Sequence, residues 1–393
     1  MTDATGQLMP QSGEARDFAR FDLARVPSPC FVVDECALEG NLKILADIKQ
    51  RSGAKVFLAL KAFSMFSLAP LIMKYLDGVC ASGVHEAHLG RAKFCLNSGE
   101  LATFSAAYKP SEMACIIALS DHVIFNSLTQ KQKYASDVTA AGKHIGLRLN
   151  PQHSEGTIPR YDPCSPCSRL GVPIDQLTAA HFEGVDGIHM HTLCEQGFAP
   201  LYRTWLTALP NLEPYLKRLK WVNLGGGHHL TRPAYDREAL IDFICQLRSE
   251  YRVDVYLEPG EAVALDAGIL VGEVLDIIHN DMPLAITDIS ATCHMPDVLE
   301  APFRPEMLGE AKTGEAHRFG GPSCLAGDVI GDYKGDFAPG DRFAFLDQAH
   351  YSMVKTNTFN GIGLPSIAIW NSKSDELRIV REFGYNDFVE RLS

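Results

Sequence analysis

The chain has 393 residues, of which 46% are hydrophobic and 21% charged, with a formal net charge of −12. This is the composition of a globular protein with room for two domains, and no run is apolar enough to span a bilayer. The acidic balance disfavours nucleic acid and anionic membrane surfaces as partners and suits a cationic substrate.

Met1 to Arg20 is polar and lacks the apolar core of a signal peptide, so residues 1–20 read as a flexible tail. Pro29 to Asp34 (PCFVVD) is a short apolar strand. A helix follows with Leu38, Leu42, Leu45 and Ile48 on one stripe, and Gly53 ends it. The stretch from Lys55 to Leu60 runs straight into Lys61, as expected of a strand buried on both faces. Gly78–Ser82 is the next strand, and Val84 to Leu96 is helical. Further strands fall at Leu101–Ser105, His122–Asn126, His144–Asn150, Gly187–Thr192, Trp221–Leu224 and Asp254–Glu258. Eight strands alternating with helical segments over about 250 residues predict a closed (β/α)8 TIM barrel, within the α/β class. An open doubly wound sheet is the alternative, but no GxGxxG follows an early strand. After Gly268 the pattern changes to Gly/Pro/Asp turns between strands near 271–278, 328–333, 342–346 and 366–370. The expected organisation is a tail (1–20), an N-terminal strand segment (21–35), a barrel (36–268) and a C-terminal β domain (269–393). That domain is sandwich- or barrel-like and is joined by the N-terminal strand.

In such a barrel the loops after the strands share one mouth. The strand ends supply Lys61, Ser82, Arg148, His191, the run Gly225, Gly226 and Gly227, and Glu258. Each has an ordinary reading. Most lysines are solvated, glycines make turns, and Arg148 could orient Glu258 or pair with another acid. Together they describe a site for an aldehyde cofactor bearing a phosphate and a ring nitrogen, pyridoxal 5′-phosphate (PLP). Lys61 offers the amine that takes the aldehyde, and the glycine N–H groups offer a phosphate cradle. Glu258 offers a carboxylate for the pyridine nitrogen, and His191 a ring to stack on the cofactor face. His189 and His191 also form an HxH pair, which leaves a metal hydrolase as a competing reading. Cys164 and Cys167 make one CxxC, too few ligands for a closed zinc site. Eleven cysteines without a framework argue for reduced thiols in the cytoplasm.

The order of these residues resembles the alanine-racemase-type (fold type III) PLP decarboxylases, over roughly Val26 to Trp370. Gly321–Asp328 (GPSCLAGD) resembles the GPxCxxxD motif of that family, and Gln348–Tyr351 followed by Phe359–Gly361 resembles its late tyrosine and FNG segment. HTLCEQ at His191–Gln196, YDPCSPCSRLGV at Tyr161–Val172, TCHMPDVLEAPFRPEML at Thr292–Leu308 and VKTNTFNG at Val354–Gly361 are similar to the branch that acts on carboxynorspermidine and carboxyspermidine. The resemblance implies a homodimer in which Cys324 and Asp328 reach the neighbouring subunit's barrel, with Tyr351 near the cofactor phosphate. It implies Cys324 as the group that returns a proton to the substrate, and norspermidine or spermidine as product. The wider family usually carries Arg where this chain has Glu261, and an acid where it has Leu325. Both changes point to a long substrate with internal amines, for which Glu261, Asp297 and Asp328 are the expected ammonium acceptors. Diaminopimelate or another amino acid is the alternative substrate on the same fold. A non-catalytic PLP carrier is disfavoured by the long β tail with Cys324.

Overall fold

The computed structural model of the chain describes residues 13–393. The chain divides into two compact units, Asn41–Val263 and a second made of Ala264–Ser393 with the segment that ends at Gly40. Both borders lie a few residues from the expected ones. Residues 1–12 of the expected tail lie outside the described part. Arg16–Arg20 forms a short 3₁₀ turn whose Phe18 is buried against Trp370, with ring centroids 5.4 Å apart. An aromatic residue in an otherwise polar stretch is what anchors it.

Strand β1, Cys30–Asp34, leads into helix α1, Glu35–Ser52, whose Leu38, Leu42, Leu45 and Ile48 are all fully buried. The first unit then runs β2 (Lys55–Ala59), β3 (Gly78–Ala81), β4 (Glu100–Phe104), β5 (His122–Phe125), β6 (His144–Asn150), a two-residue edge β7 (Val172–Pro173), β8 (Gly187–His189), β9 (Trp221–Asn223) and β10 (Asp254–Leu257). β2, β3, β4, β5, β6, β8, β9 and β10 pair in that order, all parallel, and β10 pairs back onto β2. The sheet is closed, which removes its edges and covers each strand on both faces. The apolar strand sequences follow from that burial. Phe57, Ala102, Ile124, Trp221 and Tyr256, from five strands, fill the lumen towards the strand starts. The segment expected as one helix to Leu96 changes after Leu89 into a π-helical turn, Gly90–Phe94, closed by the Cys95 N–H donating to the Gly90 carbonyl at 2.8 Å.

In the second unit β1 lies between β11 (Gly268–Asn280), to which it is antiparallel, and a parallel strand at Ser366–Asn371. Alternation along β1 and β11 serves two cores. Phe31, Leu270 and Val274 face one, and Cys30, Val32, Ile269 and Val271 face the other. The strands read near 328–333, 342–346 and 366–370 are present as Val329–Lys334, Arg342–Leu346 and Ser366–Asn371. Three more were not read from sequence: Met282–Thr287, Ala316–Gly320 and Glu376–Arg381.

Candidate active site

Strand β2 stops at Ala59, and a tight turn carries the next residues over the strand end. The Ala59 N–H donates to the Pro259 carbonyl at 2.9 Å and the Leu60 N–H to the Cys80 carbonyl at 3.1 Å. These bonds tie the turn to both neighbouring strands and set Lys61 at the C-terminal mouth of the barrel. Its side chain is reached by water but is ringed by protein. Desolvation therefore pulls its pKa below the ordinary lysine value, helped by the Arg148 charge and opposed by Cys80 and Glu258. A depressed pKa makes a lysine amine nucleophilic.

Glu258 follows β10 and is buried, 6% exposed. Its Oε2 receives a hydrogen bond from His189 Nε2 at 3.0 Å and its Oε1 one from Asn223 Nδ2 at 2.7 Å. Burial acts to raise its pKa, but His189, Asn223 and Lys61 together outweigh burial and hold the carboxyl below its usual range. Among the described contacts Arg148 makes no hydrogen bond to it, though its charge faces the carboxylate. Arg148 donates to the His191 carbonyl at 3.1 Å and lies over the Phe104 ring at 4.4 Å, and burial above all lowers its pKa to about 10. His191 accepts the Gly226 N–H at Nδ1, at 3.0 Å, and burial followed by the Lys61 and Arg148 charges keeps its pKa well below the ordinary value. The imidazole is thus a neutral ring held from behind by the backbone.

The glycine run also has partners within the chain. The Gly225 N–H donates to Asn223 Oδ1 at 2.8 Å and the Gly226 N–H to His191, so two of the three amides expected at a phosphate are spent within the chain. What requires glycine is close backbone approach. A Cβ on Gly226 would lie 2.1 Å from the Glu258 carbonyl oxygen, and one on Gly227, at φ +81°, 1.9 Å from the Leu193 carbonyl oxygen. Glu261 follows at the start of a short helix, its carboxylate 3.6 Å from His229 Nδ1.

Cys324 and Asp328 share one loop in the second unit. Cys324 is exposed, and its N–H donates to Asn360 Oδ1 at 2.8 Å. Asp328 is buried and already accepts from Ser290 Oγ at 2.8 Å, Ser323 Oγ at 2.6 Å and the Thr292 N–H at 3.2 Å. These bonds hold the Cys324 loop in place. Asp297 is likewise engaged by Lys355, which also reaches Glu300 at 3.4 Å. Tyr351 adopts a left-handed φ of 53°.

The structure therefore gathers Lys61, Arg148, His191, the glycine run and Glu258, together with two partners given no such role from sequence, Asn223 and His189. A polar residue closing the apolar strand WVN and the shared face of His189 and His191 were the available signals. Buried polar atoms on these segments have no partner among the described residues: His189 Nδ1, Arg148 Nε, Thr192 Oγ1, Gln196 Nε2 and His228 Nε2. Such atoms call for a polar group to complete them. A nucleophilic lysine, an ionised buried carboxylate and a neutral imidazole form a donor set that fits a pyridine aldehyde.

No family model matches the chain. The carboxynorspermidine/carboxyspermidine decarboxylase of Campylobacter jejuni is 37% identical over 383 residues, covering 93% of this chain and 99% of the relative. This chain belongs to the carboxynorspermidine/carboxyspermidine decarboxylase family. The crystal structure of carboxynorspermidine decarboxylase from Campylobacter jejuni, complexed with norspermidine, superposes with a TM-score of 0.84 at 36% identity, covering 93% of this chain and all of that one. The carboxyaminopropylagmatine decarboxylase of Synechocystis is 38% identical over 377 residues, covering 94% of this chain and 96% of the relative. Like these relatives the chain is a decarboxylase, and its fold of barrel and β domain is that of the family. No helix among the described residues is long and apolar enough to cross a membrane.

Proposed function

We propose that the chain is a PLP-dependent decarboxylase of carboxynorspermidine and carboxyspermidine, releasing norspermidine and spermidine in polyamine biosynthesis. The observation that carries this reading is full-length identity to decarboxylases of these substrates, with the strand-end residues present in the order the chemistry needs. When bound, the cofactor supplies an electron-accepting ring for the pair left at Cα as carbon dioxide departs. Lys61 is the amine that holds the aldehyde. Glu258 holds a proton at the ring nitrogen, and its own two hydrogen bonds keep it ionised for that task. His191 offers a flat neutral face, and the Gly226 N–H fixes its orientation. The phosphate is assigned to the Gly227 end of the glycine run, with Tyr351 beside it as the resemblance implies. Cys324, or a water it positions, delivers a proton to Cα.

The assembly we propose is a homodimer in which each barrel is completed by the Cys324 loop of a second copy. Exposed Leu325 and Phe359, on either side of the Cys324–Asn360 bond, suit such a face. The charge of −12 and eleven unpaired cysteines are consistent with a cytoplasmic enzyme of a cationic substrate. Of the expected ammonium acceptors Glu261 is retained, because it stands at the mouth beside the strand end. Carboxyaminopropylagmatine is a second candidate substrate, on the strength of its 38% identical relative.

Borohydride reduction followed by peptide mass mapping is expected to find a pyridoxyl group on Lys61. Carbon dioxide release from carboxynorspermidine, carboxyspermidine, carboxyaminopropylagmatine and diaminopimelate then ranks the substrates. Absence of the Lys61 adduct sinks the cofactor assignment, and equal turnover of diaminopimelate sinks the polyamine one.

A further inference from the structure

His189 and His191 sit two apart at the end of β8 and point the same way, with ring centroids 6.4 Å apart. The proposed chemistry uses only His191. His189 is 2% exposed, tilts against Phe104 with ring centroids 5.6 Å apart, and directs Nε2 at Glu258 Oε2. Asn223 grips the other oxygen of the same carboxylate. Phe104 is in turn covered by the Arg148 guanidinium. The carboxylate is thus clamped from two strands by two donors, and its rotation is fixed.

We propose that His189 is a positioning residue for the decarboxylation: with Asn223 it fixes Glu258 and keeps it ionised, so that Glu258 can hold a proton on the cofactor ring. The inference rests on the PLP reading. A buried carboxylate without its donors neutralises, and a neutral carboxyl no longer favours a protonated ring nitrogen. The charged and titratable groups facing Glu258 are His189 from β8, Lys61 from the turn after β2, Arg148 from β6 and the Cys80 thiol from β3; Asn223 on β9 adds a neutral donor. Of the first four, His189 makes the 3.0 Å hydrogen bond to the carboxylate, and the Cys80 thiol, a weaker donor, is also within hydrogen-bonding reach of it.

The Nε2 donor is reproduced by the amide of His189→Gln and removed by His189→Phe. Asn223→Asp is the second probe, because it retains the oxygen that receives the Gly225 N–H but loses the donor to Glu258. The holoenzymes are compared by cofactor absorbance as a function of pH, by cofactor affinity measured from fluorescence quenching on titrating PLP into the apoenzyme, and by kcat and KM. His189→Phe is expected to lower kcat roughly 10- to 100-fold, the scale of one hydrogen bond to a buried charge. KM should hold. The acid limb of the absorbance profile should move to higher pH, because a Glu258 stripped of donors protonates sooner. Asn223→Asp should move it the same way, and His189→Gln should restore most of both effects. An unshifted absorbance profile in His189→Phe and Asn223→Asp, with PLP bound normally by the natural enzyme, overturns the positioning role and leaves the PLP reading intact. His189, His191 and Glu258 also bring ligand atoms within 4.8 Å of one another. Zinc retained at one equivalent through dialysis, with no PLP uptake, overturns both.

Discussion

An ammonium at Lys61 is disfavoured by the protein around it and by Arg148, while Cys80 and Glu258 oppose that push only in part. The same field that prepares the amine for chemistry costs stability. The folded pKa lies below 10.5, so the unfolded chain binds more protons in the window between the two values, and stability rises with pH across it. Lys61→Met in the apo chain is therefore expected to melt higher than the natural sequence near neutral pH, with the gap closing as pH climbs towards 10.5; an equal or lower melting temperature contradicts it. Asp328 illustrates the opposite case, a carboxylate that stabilises. Asp328→Ala leaves three donors without an acceptor and should cost about 3 kcal/mol in urea unfolding, at about 1 kcal/mol or more per unmet group. It should also lower kcat while cofactor uptake at Lys61 stays intact. The motif GPSCLAGD drew attention to Asp328, but its bonds to Ser290, Thr292 and Ser323 are visible only in the three-dimensional contacts. Lys61, His191 and Glu258 were legible because strand ends converge by topology. Asn223 was not, because a hydrogen bond between neighbouring strand ends leaves no spacing in the sequence.

The strands of the barrel were readable to within three residues, because burial on both faces leaves largely apolar runs. The three missed strands of the β unit lack that signature. Met282–Thr287 carries a proline, Ala316–Gly320 mixes His and Arg with glycine, and Glu376–Arg381 is largely exposed. The opposite ends of the barrel strands show how a start is pinned. Glu100, at the head of β4, is bound by Lys55 from β2 and by His122 Nε2 from β5 at 2.6 Å. Burial would raise its pKa, but the His122 and Lys55 bonds dominate and bring it to about 2. This stabilisation is complete above the unfolded value of 4.5 and is lost as pH falls towards 2. With partial exposure allowed for, Glu100→Gln should cost about 2 kcal/mol at neutral pH and nothing near pH 2, measured by chemical unfolding. A pH-independent difference would place the loss in packing instead of charge.

At the scale of the whole molecule, a barrel holding the amine and a β unit holding the thiol pose the question of whose thiol serves which barrel. The homodimer proposed above takes the two from different copies. In a closed two-fold dimer each copy lends its loop and receives the other's, so a dimer carries two sites, each a hybrid. This has a quantitative consequence. Lys61→Ala and Cys324→Ala homodimers are both defective at both sites. In a mixed dimer one site collects both lesions and the other collects neither. Random re-association of equal amounts makes half the dimers mixed, each with one intact site, so activity should recover to about a quarter of the natural enzyme. Recovery must require subunit exchange, and it should vanish when the two variants are mixed after cross-linking. If Lys61 and Cys324 instead served the same copy's site, mixing would restore nothing, because every site would inherit one lesion whatever its neighbour carried.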